Sequence, residues 1–132
     1  MTLKKTLNKE DRLKSRKAIE QLFREGHRYV TGNLRAVFLN IKDTELRMGV
    51  SVSNKNFPRA VDRNRIRRQM KEAYRLGYSG LKSSLQTNKK GLHLFILYQG
   101  KKMPDWETLK TSVVKIIRYL ESSIDENDLK NS

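Results

Sequence analysis

Apolar positions change their period along the chain, and each change marks an element. After Ser15, a residue type suited to capping, Ala18, Ile19, Leu22 and Phe23 recur one turn apart, and Gly26 supplies a stop. This spacing predicts a helix over residues 15–25. From 28 to 53 the period is two: Leu34, Ala36 and Phe38 oppose Arg35, Val37 and Leu39, and Leu46, Met48, Val50 and Val52 alternate with Arg47, Gly49, Ser51 and Ser53. Two strands are expected, with Lys42-Asp43-Thr44-Glu45 as a hairpin loop between them and a short strand before them at 28–31.

Pro58 then biases Phe57 away from helix. Beyond it Ile66, Met70, Ala73 and Gly77 share one face, which predicts a second helix starting within 58–62 and ending near Gly77. The polar stretch 79–90 surrounds Leu81 and Leu85 and leaves open a short helical turn or none. Residues 92–98 are apolar almost throughout, as suits a central strand covered on both faces. After Pro104 and Asp105, a helix carrying Trp106, Leu109, Val113, Ile116, Ile117 and Leu120 closes the domain. A single domain over 1–120 is expected, with 121–132 an acidic C-terminal tail that frays.

Length and charge narrow the function. The chain has 132 residues, enough for one core. Lys and Arg total 29 against 14 acids, a formal charge of +15, which repels itself unless a polyanion neutralises it. Leu, Ile, Val and Phe make up about a quarter of the residues, above the fraction at which high charge means disorder. With no cysteine, disulfides, zinc–thiolate sites and thiol catalysis are excluded, and a reducing, cytoplasmic setting is expected. The basic start is not followed by an apolar segment, and no run of apolar residues is long enough to span a bilayer, so neither secretion nor a membrane partner is expected.

The densest chemical signal is Lys55, Arg59, Arg63, Arg65, Arg67, Arg68 and Lys71, interrupted by one acid, Asp62. Such a run points to a polyanion contact. At about 100° per residue, Asn64, Arg67, Arg68, Lys71 and Arg75 lie opposite the Ile66–Met70–Ala73 line, while Arg63 and Arg65 flank that line on opposite sides. Guanidinium forks bind phosphate bidentately and stack on bases, which a lysine ammonium does not do. The bland alternative is a solvated face, but solvated faces usually mix signs.

The run Ala60-Val61-Asp62-Arg63-Asn64-Arg65-Ile66-Arg67-Arg68 resembles the Ala-Val-x-Arg-Asn-Arg-x-Lys/Arg-Arg signature of the bacterial ribonuclease P protein component. Arg12-Leu13, Phe23, Gly26 and the strand Arg47-Met48-Gly49-Val50-Ser51-Val52-Ser53 fall in that family's order, so the resemblance covers roughly residues 12–120. It implies a small α+β fold of order αβββαβα. The mixed sheet is packed with helices as in the second domain of ribosomal protein S5, with a left-handed βαβ crossover against the usual hand.

By the same resemblance, the protein assists a catalytic RNA that cleaves the 5′ leader from precursor tRNA with Mg²⁺ ions held mainly by that RNA. The partners are then the ribonuclease P RNA and precursor tRNA, with no obligate protein partner. RNA binding is expected from Arg63, Asn64, Arg65, Arg67 and Arg68, with Lys55, Arg59 and Lys71 beside them. A leader cleft is expected from Phe23, Ile19, Ser51, Ser53 and Arg47, where an aromatic beside basic groups holds single strands without reading sequence. Ile19 stands where the family often has a second aromatic, and Asn56-Phe57-Pro58 is one residue longer than the family's Lys-x-Gly turn.

Two rivals remain. A ribosomal or other structural RNA-binding protein would use the same charge and lacks only the signature. A self-sufficient nuclease needs a positioned base or metal-holding carboxylates, and the chain has only two histidines, His27 and His93, while its basic region contains just one carboxylate, Asp62; no catalytic residue and no protein-held metal are therefore assigned.

Overall fold

The computed structural model describes Arg12, Leu13 and residues 15–131, with side chains as far as Ile124. Eight elements follow one another: α1 (Arg16–Glu25), β1 (His27–Thr31), β2 (Leu34–Ile41), β3 (Leu46–Val52), α2 (Ala60–Gly77), α3 (Ser79–Thr87), β4 (Gly91–Tyr98) and α4 (Trp106–Asn131). The fold is α+β, a four-stranded mixed sheet in the order β1-β2-β4-β3.

The expected hairpin between β2 and β3 does not form. Strand β4 lies between them, antiparallel to β2 (Leu34 opposite Tyr98) and parallel to β3 (Val52 opposite Tyr98). The most apolar strand takes the inner position, where its main face is sealed from water. The 42–45 loop must therefore cross the end of β4, and Gly91 makes room for it. A Cβ there would stand 1.7 Å from the Asp43 carbonyl oxygen.

Helices α2, α3 and α4 cover one face of the sheet. Ile66, Met70, Ala73 and Tyr74 of α2 meet Met48, Leu94 and Ile96 of the strands and Val113, Ile116 and Leu120 of α4 in one dry cluster. Each large aliphatic side chain buried this way stabilises the fold by about 1.5–3 kcal/mol. The sequence left α3 open, yet Leu81 and Leu85 both sink into this core and fix a nine-residue helix. Two apolar residues one turn apart are too short a pattern to read without the surface they meet. The expected end at Leu120 is also overrun: α4 continues to Asn131, and Ile124, one turn beyond Leu120, is buried.

Among the described residues α1 is the one helix on the opposite face. Ser15 Oγ accepts from the Ala18 amide at 3.2 Å and starts this helix, and Gly26 ends it where a Cβ would meet the Leu22 carbonyl at 2.4 Å. Leu13, Leu22 and Val37 form a small cluster there, with Ile19, Phe23, Phe95 and Leu97 half-covered. Strand β4 is thus buried through Leu92, Leu94, Ile96 and Tyr98 but half-open through His93, Phe95 and Leu97, not covered on both faces as its composition suggested.

Candidate nucleic-acid interface

Helix α2 is seated by its apolar line, so its other positions have no choice but to face outward. Asn64, Arg65, Arg68 and Lys71 are exposed, as are Arg59 just before the helix and Lys55 in the preceding turn. Arg67 Nη1 donates to Asn64 Oδ1 at 2.6 Å, which holds the guanidinium along the helix edge.

That edge faces a cation the sequence did not single out as a contact. Arg12 forms a parallel bridge with Met48 on the outer side of β3, and the Leu13 amide donates to the Met48 carbonyl at 3.1 Å. The strap brings Arg12 close enough to act on α2. Partial burial, then the positive charges of Arg12 and Arg67, push the Lys71 ammonium below its ordinary pKa. Arg12, Arg67 and Lys71 therefore lie near one another in a basic ledge, where the charges of the two arginines disfavour the protonated state of Lys71 and a bound polyanion would favour it.

Three other arginines are committed inside the protein. Arg63 Nη1 donates to the carbonyls of Phe57 at 2.9 Å and Pro58 at 2.7 Å. Helix α2 has no side-chain cap of its own, and this guanidinium clamps the turn that leads into it. The turn is further tied by Phe57 N to Ser53 O at 3.0 Å and by Asn56 Nδ2 to the Gly100 carbonyl at 3.3 Å. The longer Asn56-Phe57-Pro58 turn thus has its own fastening, in which the Arg63 guanidinium takes part. Arg75 makes a bidentate pair with Glu72, Nε to Oε1 at 2.8 Å and Nη2 to Oε2 at 2.6 Å, which closes off the basic face one turn beyond Lys71. Arg47 Nε donates to Glu45 Oε2, which also meets His93 Nε2 at 3.2 Å. Burial works to raise the Glu45 pKa, but the hydrogen bonds and charges of His93 and Arg47 prevail and hold it below its ordinary value.

The half-open sheet face supplies a cleft. Phe23 packs edge-on against Phe95 with ring centroids 5.3 Å apart, and Ile19 lies in the same cluster. Gly49, opposite Phe95 in the register, leaves the space that ring occupies: a Cβ would stand 2.8 Å from Phe95 Cε2. The second ring beside Phe23 is therefore Phe95. Its alternation with His93 and Leu97 on the strand was the available signal. Farther along β3, Ser51 and Ser53 line a pocket of ≈ 360 Å³ with Lys55, Asn56, Leu97 and Gln99. Arg47, at the other end of the strand, is not in that pocket's lining.

Residues 7–121 match the Ribonuclease P family. The chain belongs to that family. It is 32% identical over 128 residues to the ribonuclease P protein component of Porphyromonas gingivalis strain W83, covering 95% of this chain and 93% of that one. To the corresponding protein of Chlorobaculum tepidum it is 32% identical over 122 residues, 83% and 79% of the two chains. Its fold is that of the Staphylococcus aureus RNase P protein, with a TM-score of 0.65 at 21% identity over 84% of this chain and 95% of that one. The RNase P protein of Thermotoga maritima aligns with a TM-score of 0.63 at 20% identity over 82% and 96%.

Ribonuclease P is a tRNA-processing ribonuclease, and the Ribonuclease P signature here occupies the first half of α2. Of its five polar positions, Asn64, Arg65, Arg67 and Arg68 lie outside the core, while Arg63 fastens the turn. No described helix is long and apolar enough to cross a membrane.

Proposed function

We propose that the chain is the RNA-binding protein subunit of a ribonucleoprotein in which a catalytic RNA removes the 5′ leader from precursor tRNA in the cytoplasm. What carries this reading is the like-charged ledge of Arg12, Arg67 and Lys71 running beside a half-open cleft that holds two aromatic rings. The outer side of α2, through Arg59, Asn64, Arg65 and Arg68, docks the RNA subunit by phosphate contacts. The cleft takes the leader as a single strand, with bases laid against Phe23 and Phe95 and the backbone drawn by the ledge and Lys55.

Among the described residues no three His, Asp or Glu side chains come together. In the proposal the RNA holds most of the Mg²⁺, and the protein screens the mutual repulsion of the two RNAs so that less free Mg²⁺ is needed. Cleavage hydrolyses the phosphodiester and leaves a 5′ phosphate on the mature tRNA.

Reconstitution tests this. The purified protein, added to its ribonuclease P RNA and precursor tRNA at low Mg²⁺, is expected to restore 5′ maturation and to favour leader-bearing substrate over mature tRNA. Cleavage by the protein without RNA, surviving stringent purification, would falsify the assignment of catalysis to RNA.

A further inference from the structure

A pocket of ≈ 370 Å³ opens between the β1–β2 turn, the loop after β4 and the first turns of α4. It lies on the helix-covered side of the sheet and shares Tyr98 with the lining of the Ser51–Ser53 pocket, but none of the residues assigned to RNA binding above lines it. Its size is at the small end of ligand pockets, which run from about 300 to 1,000 Å³. Leu34 and Leu109 give it an apolar floor, and Met103 and Pro104 an apolar side.

Within this lining sits Ser112, a buried polar residue at 8% exposure. Gly32, at φ +56, passes over it where a Cβ would stand 2.9 Å from Ser112 Oγ.

The other polar groups are largely spoken for. Tyr98 donates its phenol proton to the Lys102 carbonyl at 2.7 Å. Asp105 Oδ2 accepts from the Thr108 amide and hydroxyl, both at 3.1 Å. With that carboxylate on the end of α4, an anion is turned away from the helix N-terminus. It is left with the ammonium groups of Lys101 and Lys102, both exposed at the rim.

A largely apolar slot whose lining includes the hydroxyl of a buried serine and two exposed lysines suits a flat polar ring that carries a phosphate. We propose that this pocket binds one nucleotide unit, base inward against Leu34 and Leu109 with Ser112 on its polar edge, and phosphate on Lys101 and Lys102. The choice of a nucleotide over another flat anion rests on the RNA-binding reading above; the pocket itself does not.

The test is titration of the intact protein at fixed ionic strength with AMP, UMP, adenosine and inorganic phosphate. Two readouts serve: fluorescence of Trp106, the only tryptophan and the neighbour of Asp105, and the amide shifts of Gly32 and Ser112. Saturable responses are expected from the nucleotides, about tenfold weaker ones from adenosine, and none at Gly32 or Ser112 from phosphate alone. Lys101→Ala with Lys102→Ala should weaken AMP by about tenfold, and Ser112→Ala by a smaller factor, while Arg65→Ala leaves AMP binding unchanged.

A 5′-phosphorylated trinucleotide that displaces AMP identifies the occupant as part of an RNA chain; one that does not identifies a free nucleotide. The proposal is overturned if neither readout saturates, or if AMP binds the Lys101/Lys102 and Ser112 variants as it binds the parent. No second RNA takes part in this titration, so its failure leaves the ribonuclease P reading standing. Failed reconstitution with intact AMP binding counts only against that reading.

Discussion

One turn of α2 separates Arg63 from Arg67, yet the first guanidinium ends on the carbonyls of Phe57 and Pro58 whereas the second lies beside Arg12 and Lys71. The same residue type in the same helix has opposite surroundings. Arg63 faces carbonyl acceptors in the turn before a helix that has no side-chain cap; Arg67 leans on the neutral amide of Asn64, near Arg12 and Lys71. A phosphate can displace nothing at Arg63 without loosening the turn, but it improves the electrostatics at Arg67. Charge counted along the sequence therefore overstates the binding surface, and nearby carbonyls and carboxylates decide which cations remain available.

The sharpest way to break this contrast is to remove each arginine in turn. Arg63→Ala deletes two charge-assisted hydrogen bonds and is expected to destabilise the fold by about 1.5–3 kcal/mol. Arg65→Ala, at an exposed position away from such bonds, should stay within about 0.5 kcal/mol of the parent. Urea unfolding of the two variants reads the difference. Equal stability loss, or none at Arg63, would show that the turn does not depend on the guanidinium.

The cleft offers a contrast of the same kind between stacking and charge. Phe23→Ala and Phe95→Ala are each expected to weaken binding of a single-stranded leader by about 1–3 kcal/mol, the worth of one base on one ring. Assembly with the ribonuclease P RNA should be unchanged in both. If either substitution lowers RNA-subunit affinity as much as leader affinity, cleft and helix are not separate surfaces.

Lys71→Met sharpens the charge side of the comparison, because it should move stability and binding in opposite directions. Its folded-state pKa is lowered from 10.5, so at neutral pH the protonated amine opposes folding, and this opposition disappears only as pH rises past its titration. The free variant should unfold at the same or a higher urea concentration than the parent. Its RNA affinity should fall, with the log–log salt slope flatter by about 0.7–0.9 because one phosphate fewer is neutralised. An unchanged slope would remove Lys71 from the interface.

Much of this was legible before the structure. Periodicity placed α1, β2, β3, α2 and α4, because each has an apolar stripe long enough to repeat. It left α3 open, because Leu81 and Leu85 repeat once only. The signature located the candidate binding helix through residue types alone, but the fate of Arg63 depended on backbone carbonyls, which carry no sequence signal. Arg12 and Phe95 were hidden for another reason. Each acts through a neighbour distant in sequence, Arg12 through Lys71 and Phe95 through Phe23. The order β2-β4-β3 was likewise invisible to local pattern, since two alternating runs joined by four polar residues look alike whether or not a third strand enters between them.

The smallest expected effect concerns the arginine at the far end of β3. Glu45 is held below its ordinary value of 4.5 by His93 and Arg47 against the opposing effect of burial. A depressed carboxylate contributes stability that is present above pH 4.5 and lost as pH falls through the folded-state value. The side chains of Glu45 and Arg47 are 30% and 39% exposed, so solvent screening keeps the contribution below about 1 kcal/mol. Unfolding followed from about pH 6 to about pH 3 should show parent and Glu45→Gln converging at the acid end, with the parent more stable at the neutral end. Curves that stay parallel would mean that Arg47 is not neutralised by this carboxylate. The guanidinium would then count with Arg67 among the cations open to RNA, and the division between committed and available arginines would have to be redrawn along β3.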